Sequence, residues 1–184
     1  MKFTRTLIPD VIEISPRRHA DDRGHFVELF RADLFRKNVA DVRLVQHNQS
    51  LSRREGTVRG LHYQASPAAQ GKLVRCVRGA IFDVAVDLRR SSPTFGRHVT
   101  MELSADTDAQ LWIPAGFAHG FCTLTPDTEV WYGVTHTYSP SHDRGVLWND
   151  AELGIPWPAI AAAATVSERD AKLPRLRDAL DLFE

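Results

Sequence analysis

The chain is predicted to be all-β, an antiparallel double-sheet jelly roll, on three observations. From Val42 onward, turn signals recur at roughly the 8–12-residue spacing of a sandwich or barrel. The run Phe82-Asp83-Val84-Ala85-Val86-Asp87-Leu88 alternates, with Phe82, Val84, Val86 and Leu88 on one face and Asp83 and Asp87 on the other. No long amphipathic helix separates the strand-like runs, so the crossovers that a parallel sheet requires are missing. An antiparallel jelly roll satisfies all three.

Each element has its own warrant. Leu7-Ile8 and Val11-Ile12-Glu13-Ile14, broken by Pro9-Asp10 and stopped by Pro16, read as one or two edge strands. Asp21-Asp22-Arg23-Gly24 is a turn ahead of the apolar run Phe26–Phe30, and Ala32–Lys37 reads as a short helix with Leu34 and Phe35 on its apolar side. The strands that follow are expected at Arg43–Gln49, Thr57–Gln64, Lys72–Val77, Ala80–Leu88, His98–Leu103, Gln110–Ile113, Gly120–Thr123 and Glu129–Thr137. Tyr138-Ser139-Pro140 ends the series. The proline-rich stretch from Trp148-Asn149-Asp150 to Pro158 is loop, and Ser167 is an N-cap for a short helix opening at Glu168-Arg169-Asp170. Residues 1–184 are therefore expected to form one domain: an N-terminal arm over 1–30, a jelly-roll core over about 42–138 and a helical and loop segment over 139–184.

With 43% hydrophobic and 25% charged residues, the composition is that of an ordinary soluble protein. The 23 basic residues balance 23 acidic ones, which removes the electrostatic case for nucleic acid, whereas an anionic small molecule needs only a local cluster of Arg and Lys. Cys76 and Cys122 lie in apolar runs and read as buried thiols. With no C-x-x-C pair, no signal-peptide core and no membrane-length apolar span, the expected compartment is the reducing cytoplasm and no membrane is a partner.

Chemistry is expected around His62. Alternation places it with Gly60 and Gln64, and Arg59, Leu61 and Tyr63 on the other face. The loop through Ser66-Pro67 and Gly71 has a length that returns Lys72 beside His62 in an antiparallel pair. Alone, His62 reads more readily as a core histidine with one hydrogen bond than as a functional group. Together, Gln46, Asn48, Arg59, Lys72, His119 and Tyr132 are polar exceptions on apolar strands or strand ends, which is how a ligand pocket is lined. Pro114-Ala115-Gly116-Phe117-Ala118-His119, between two strands, resembles the second sequence motif of cupin barrels. The His-x-His of metal-binding cupins has no counterpart, since His62 is followed by Tyr63-Gln64, and no metal site is expected. Proton abstraction beside a carbonyl needs a base, a cation at the developing enolate oxygen and an acid to return the proton, and His62, Lys72 and Tyr132 are groups of those kinds.

Asp22-Arg23-Gly24, Gln46-x-Asn48-x-Ser50, Arg59–Gln64, Gly71–Cys76, Phe82–Asp87, Ser92–Gly96, Leu111–Phe121, Tyr138-Ser139-Pro140 and Trp148-Asn149-Asp150, in this order, resemble the dTDP-4-dehydrorhamnose 3,5-epimerase family of the cupin superfamily. The resemblance implies a cofactor-free isomerase acting on a nucleotide-linked 4-keto-6-deoxysugar. His62 would be the proton acceptor, Asp170 its orienting carboxylate, Lys72 the enolate stabiliser and Tyr132 the proton donor. Arg23, Arg59 and Arg169 would meet the pyrophosphate, Gln46 and Asn48 the nucleotide or sugar, His119 would line the pocket and Tyr138 would stack on the thymine. It also implies a homodimer exchanging N-terminal strands, with Glu28 reaching the base region from the partner. Asp143 stands in the substrate-binding set where relatives commonly carry Glu. Gly133, His47 and Gln49 depart from the commonest residues and leave the acid–base set intact. Two other readings stay open: inversion at C3 or C5 alone on another nucleotide-linked 4-keto sugar, and a non-catalytic sugar-nucleotide-binding cupin.

Overall fold

A computed structural model describes residues 1–184. Its strands are β1 (Lys2–Arg5), β2 (Ile12–Ser15), β3 (Arg18–Asp21), β4 (Gly24–Val27), β5 (Gln46–Ser52), β6 (Val58–Gln64), β7 (Lys72–Arg78), β8 (Ala80–Asp87), β9 (His98–Ser104), β10 (Gln110–Ile113), β11 (Phe117–Thr123), β12 (Thr128–Val134) and β13 (Asp143–Gly145), with one helix, α1 (Ala32–Asn38). A six-stranded sheet in the order β1-β2-β10-β7-β12-β5 faces a five-stranded one, β13-β6-β11-β8-β9, and β3 and β4 form a separate hairpin. From β5 to β8 the chain changes sheet at every step, as a jelly roll does when neighbours in sequence face each other across the core.

That topology corrects one expectation. Lys72 does not pair with His62: β7 joins β10 and β12, opposing Lys72 to Ile113 and Val134, while β6 lies in the other sheet. The two residues approach across the sandwich. A second difference concerns β8. Its apolar face, Phe82, Val84, Val86 and Leu88, packs outward under the C-terminal segment with Val146, Leu153 and Ala179. Asp83 and Asp87, on the face that alternation marks as polar, are 0% exposed. The covering segment therefore inverts the usual rule that the acidic face meets water.

Between the sheets lies a core including Val74, Cys76, Ile81, Ala85, Leu111, Phe117 and Val130. Outside the six-stranded sheet, α1 seats Phe35 edge-on to Trp112 with ring centroids 5.1 Å apart. Several bounds differ from expectation. β11 begins at Phe117, because only Pro114–Gly116 turn and the buried Phe117 and Ala118 continue the alternation into His119. β12 stops at Val134, where Thr135 bends back to exchange hydrogen bonds with the Gly71 backbone. β5 starts three residues later than expected, at Gln46, with Leu44 folded onto the Trp112 cluster. In place of the helix opening at Glu168 there is one 3-10 turn, Asp170–Lys172, whose N-cap is Arg169 rather than the expected Ser167, although the Ser167 hydroxyl accepts the Asp170 N–H at 3.0 Å.

Candidate active site

Gly60 sets the geometry of the site. Its φ is +129°, and a Cβ there would lie 2.5 Å from Gly120 Cα, so β6 and β11 touch backbone to backbone. His62 opposes His119 while Arg59 opposes Phe121, so three steps of β6 span two of β11. The extra residue is a bulge that re-phases the strand. Arg59, expected to point away from His62, lines the same cleft.

The cleft comprises adjoining cavities of about 370 and 510 Å³ that share His62, Lys72, Tyr132 and Arg169. His62 Nε2 and Asp170 Oδ1 are 2.8 Å apart, and Asp170 Oδ2 accepts the Gly60 N–H at 3.1 Å. Burial alone would raise the Asp170 pKa, but hydrogen bonds from His62, Gly60 and Ser167 outweigh it and hold the carboxyl below its ordinary 3.8. An ionised carboxylate only accepts, so Nε2 carries the proton and Nδ1 is left as the basic nitrogen.

Lys72 is 8% exposed, and its ammonium donates to the His62 carbonyl at 3.1 Å. Burial pushes its pKa from 10.5 down to about 8 against the pull of Asp143 and Asp83. The ammonium is thus a cation held short of counter-charge, ready to stabilise an oxyanion. Tyr132 enters from β12 in the facing sheet, and burial raises its pKa, Arg59 opposing and Asp143 adding to the rise. It remains a phenol with a proton to give. Beneath these groups His119 Nε2 meets Asp83 Oδ1 at 2.7 Å, and burial keeps the imidazole below its usual range despite that carboxylate.

At the mouth, Asp143 Oδ2 accepts from Tyr138 Oη at 3.0 Å and pairs with Arg169 at 2.7 Å. Gln46 Oε1 accepts the Tyr138 N–H at 2.9 Å and Gln46 Nε2 donates to Asn48 at 2.8 Å. The cleft thus gathers Gln46, Asn48, Arg59, His62, Lys72, His119, Tyr132, Tyr138, Asp143, Arg169 and Asp170. Arg23 and Glu28 are not among them. Arg23 sits at the tip of the β3–β4 hairpin, its side chain 90% exposed and paired with Asp21. Asp83, which lines neither cavity but holds His119 from behind, is not singled out by the sequence. Its signal was the acid in an otherwise apolar alternating strand, and nothing local says which face of that strand turns inward.

Base, carboxylate, ammonium and phenol around one polar cleft can move protons at a carbon next to a carbonyl. Nowhere in the chain do three or more His, Cys, Asp or Glu side chains gather to hold a metal ion. Known proteins point to the same chemistry. Residues 5–178 match the family described as dTDP-4-dehydrorhamnose 3,5-epimerase. A Sinorhizobium fredii protein of that name is 57% identical over 96% of this chain and 90% of its own length. The crystal structure of the Bacillus anthracis dTDP-4-dehydrorhamnose 3,5-epimerase with TDP and PPi bound is 47% identical, with a TM-score of 0.89 over 95% of this chain and 98% of that one. The Legionella pneumophila dTDP-6-deoxy-D-glucose-3,5-epimerase in complex with dTDP-4-keto-L-rhamnose is 39% identical, with a TM-score of 0.92 over 96% of this chain and 93% of that one.

Proposed function

The chain belongs to the dTDP-4-dehydrorhamnose 3,5-epimerase family, and from that premise we propose that it inverts C3 and C5 of dTDP-4-keto-6-deoxy-D-glucose, giving dTDP-4-keto-L-rhamnose without a cofactor. The observation that carries this reading is the His62–Asp170 pair at 2.8 Å in one cleft with Lys72 and Tyr132.

Both carbons flank the C4 ketone, so loss of either proton gives an enolate, C3=C4 or C4=C5, whose charge rests on the same oxygen, O4. His62 Nδ1 takes the proton from one face, and the Asp170 carboxylate steadies the imidazolium that forms. Lys72 holds the oxyanion at O4. Tyr132 delivers its proton from the opposite face, so the carbon inverts. His62 then releases its proton to solvent and the tyrosinate takes one up, and the cycle repeats at the second carbon. General acid–base help contributes about 10²–10⁴-fold and an oxyanion donor about 10²–10³-fold.

Arg59 and Arg169 would clasp the pyrophosphate by guanidinium forks, and Tyr138 would stack on the base. In this reading Arg23 and Glu28 serve the site of a second subunit. Its support is the β3–β4 hairpin, whose Phe26 is 70% exposed and whose two site residues miss their own cleft. β1 and β2 lie on the chain's own six-stranded sheet, and in this reading the hairpin is the part exchanged in a homodimer. Residues 1–184 act as one epimerase domain. No helix is long and apolar enough to cross a membrane. We place the enzyme in the cytoplasm, where the free thiols Cys76 and Cys122 stay reduced.

The test is proton NMR in deuterium oxide with dTDP-, UDP-, GDP- and CDP-linked 4-keto-6-deoxysugars. Deuterium entering both C3 and C5 of the dTDP sugar is the expected result. Exchange at one carbon would replace the reading with single-centre epimerisation, and binding without exchange would reduce the protein to a sugar-nucleotide-binding cupin.

A further inference from the structure

Trp148-Asn149-Asp150 takes no part in the cleft, yet Asp150 is 4% exposed. Its two carboxylate oxygens accept backbone amides from different segments: Oδ1 takes the Glu152 N–H at 3.2 Å and Oδ2 the Leu176 N–H at 2.8 Å. Burying a carboxylate is costly unless its lone pairs are met, and here they are met by main chain. The second bond reaches the stretch that carries Asp170.

That stretch is an irregular strap from Thr165 to Leu176. At its start Thr165 exchanges hydrogen bonds with Gly56 and Val58, at 3.0 Å each, which ties it to the beginning of β6. At its end the Pro174 carbonyl accepts the Leu147 N–H at 2.8 Å, and Asp150 holds Leu176. Between these ends the only regular element is the single 3-10 turn Asp170–Lys172. No sheet ladder positions Asp170: between the strap's two ends it is held by the Gly60 N–H, the Ser167 hydroxyl and the neighbouring Arg169–Asp143 pair, so its placement depends on the ends as well as on these local contacts.

We propose that Asp150 is a positioning residue for the His62–Asp170 pair, holding through the Leu176 amide the end of the strap that presents Asp170 to the imidazole. Its effect on turnover rests on the epimerase reading; its effect on the pair's geometry does not.

Asp150→Asn keeps the shape but leaves one acceptor for two backbone N–H groups, so the amide gives up either the Glu152 or the Leu176 bond according to how it turns. Leu176→Pro removes the Leu176 bond from the other side. Arg175 already has φ −67° and ψ 160°, as a residue before proline requires, and Leu176 opens a 3-10 turn, where proline is tolerated. Leu176→Ala keeps the N–H and controls for the lost side chain.

The full-length protein with ¹⁵N-labelled histidine provides the readout, through the low-field ring N–H protons of His62 and His119, assigned with His62→Asn and His119→Asn. The pair His119–Asp83, at the floor of the cleft and held on the sheet strands β11 and β8 rather than on the strap, serves as an internal reference. Asp150→Asn, and Leu176→Pro relative to Leu176→Ala, are expected to shift the His62 signal upfield or lose it to solvent exchange, leaving His119 unmoved. The kcat for the dTDP-4-keto sugar should fall about ten- to a hundredfold, as a small misplacement of a catalytic group costs. A His62 signal unchanged in Leu176→Pro relative to Leu176→Ala overturns the proposal whatever happens to kcat, and so does a parallel loss of both signals, which would mean general loosening. Should Asp150→Asn not fold, the Leu176 pair decides alone. Absence of turnover in the wild-type protein would strike the epimerase reading and leave the NMR comparison to judge the strap.

Discussion

Lys72→Met is expected to make the protein more stable and nearly inactive. Moving the Lys72 pKa from 10.5 to about 8 means that the fold disfavours the charged form by roughly 3 kcal/mol. A thioether of similar length removes that penalty and forfeits the hydrogen bond to the His62 carbonyl, worth about 1 kcal/mol, which leaves a gain of about 2 kcal/mol at pH 7. For a chain of this size that is a rise in Tm of about 4–8 °C. The sign of the pH dependence follows from proton counts. Between about pH 8 and 10.5 the unfolded wild-type chain holds a proton on Lys72 that the folded one has shed, so wild-type stability climbs with pH across that window. The variant's advantage should shrink accordingly. Turnover should drop about 10²–10³-fold, the contribution of one donor at an oxyanion. Thermal unfolding of both proteins from pH 7 to 10, with the deuterium-exchange assay at pH 7, measures all of this. A variant no more stable at pH 7, an advantage that does not change with pH, or turnover within tenfold of wild type would each refute the assignment of Lys72 as a destabilised oxyanion-binding cation.

His62→Asn should remove both deuterium incorporation and inversion, by about 10²–10⁴-fold, whereas Tyr132→Phe should keep incorporation and lose inversion, because base and acid act on opposite faces; NMR of sugar incubated in deuterium oxide separates the two. Arg23→Ala should raise KM for the nucleotide sugar with kcat little changed, and mixing it with Arg59→Ala should restore sites of wild-type KM in a fraction of dimers; the absence of such rescue would place Arg23 outside any site. Asp87→Ala should lower stability by about 3–5 kcal/mol, seen as a lower Tm, because a 0%-exposed carboxylate there accepts from Arg89, Ser92 and Thr94. Burial would raise the Asp87 pKa, but the bonds from Arg89, Thr94 and Ser92 hold it below 3.8, so its contribution is complete above about pH 4 and fades as pH falls further; acid denaturation of wild type and variant checks the sign.

Some of this protein was legible residue by residue. Strand alternation and turn chemistry are local, so most strands, the hairpin turn before Gly24 and the helix over Ala32–Asn38 could be read directly. That His62, Lys72 and Tyr132 line one cleft was legible in kind too, since together they are polar exceptions on apolar strands. What was not local was decided only by tertiary structure. Asp170 reaches His62 across 108 residues because the C-terminal strap folds back over the five-stranded sheet. Lys72 meets His62 because consecutive strands of a jelly roll face each other across the core, not side by side. The bulge against Gly120 turns Arg59 into the cleft, and the outer cover over Val84 and Val86 turns Asp83 inward. Arg23 and Glu28 do not line their own chain's cleft. A residue's neighbours along the chain set its backbone and the face on which its side chain lies; which face becomes the inside depends on what else packs there, and that packing exists only once distant segments have met.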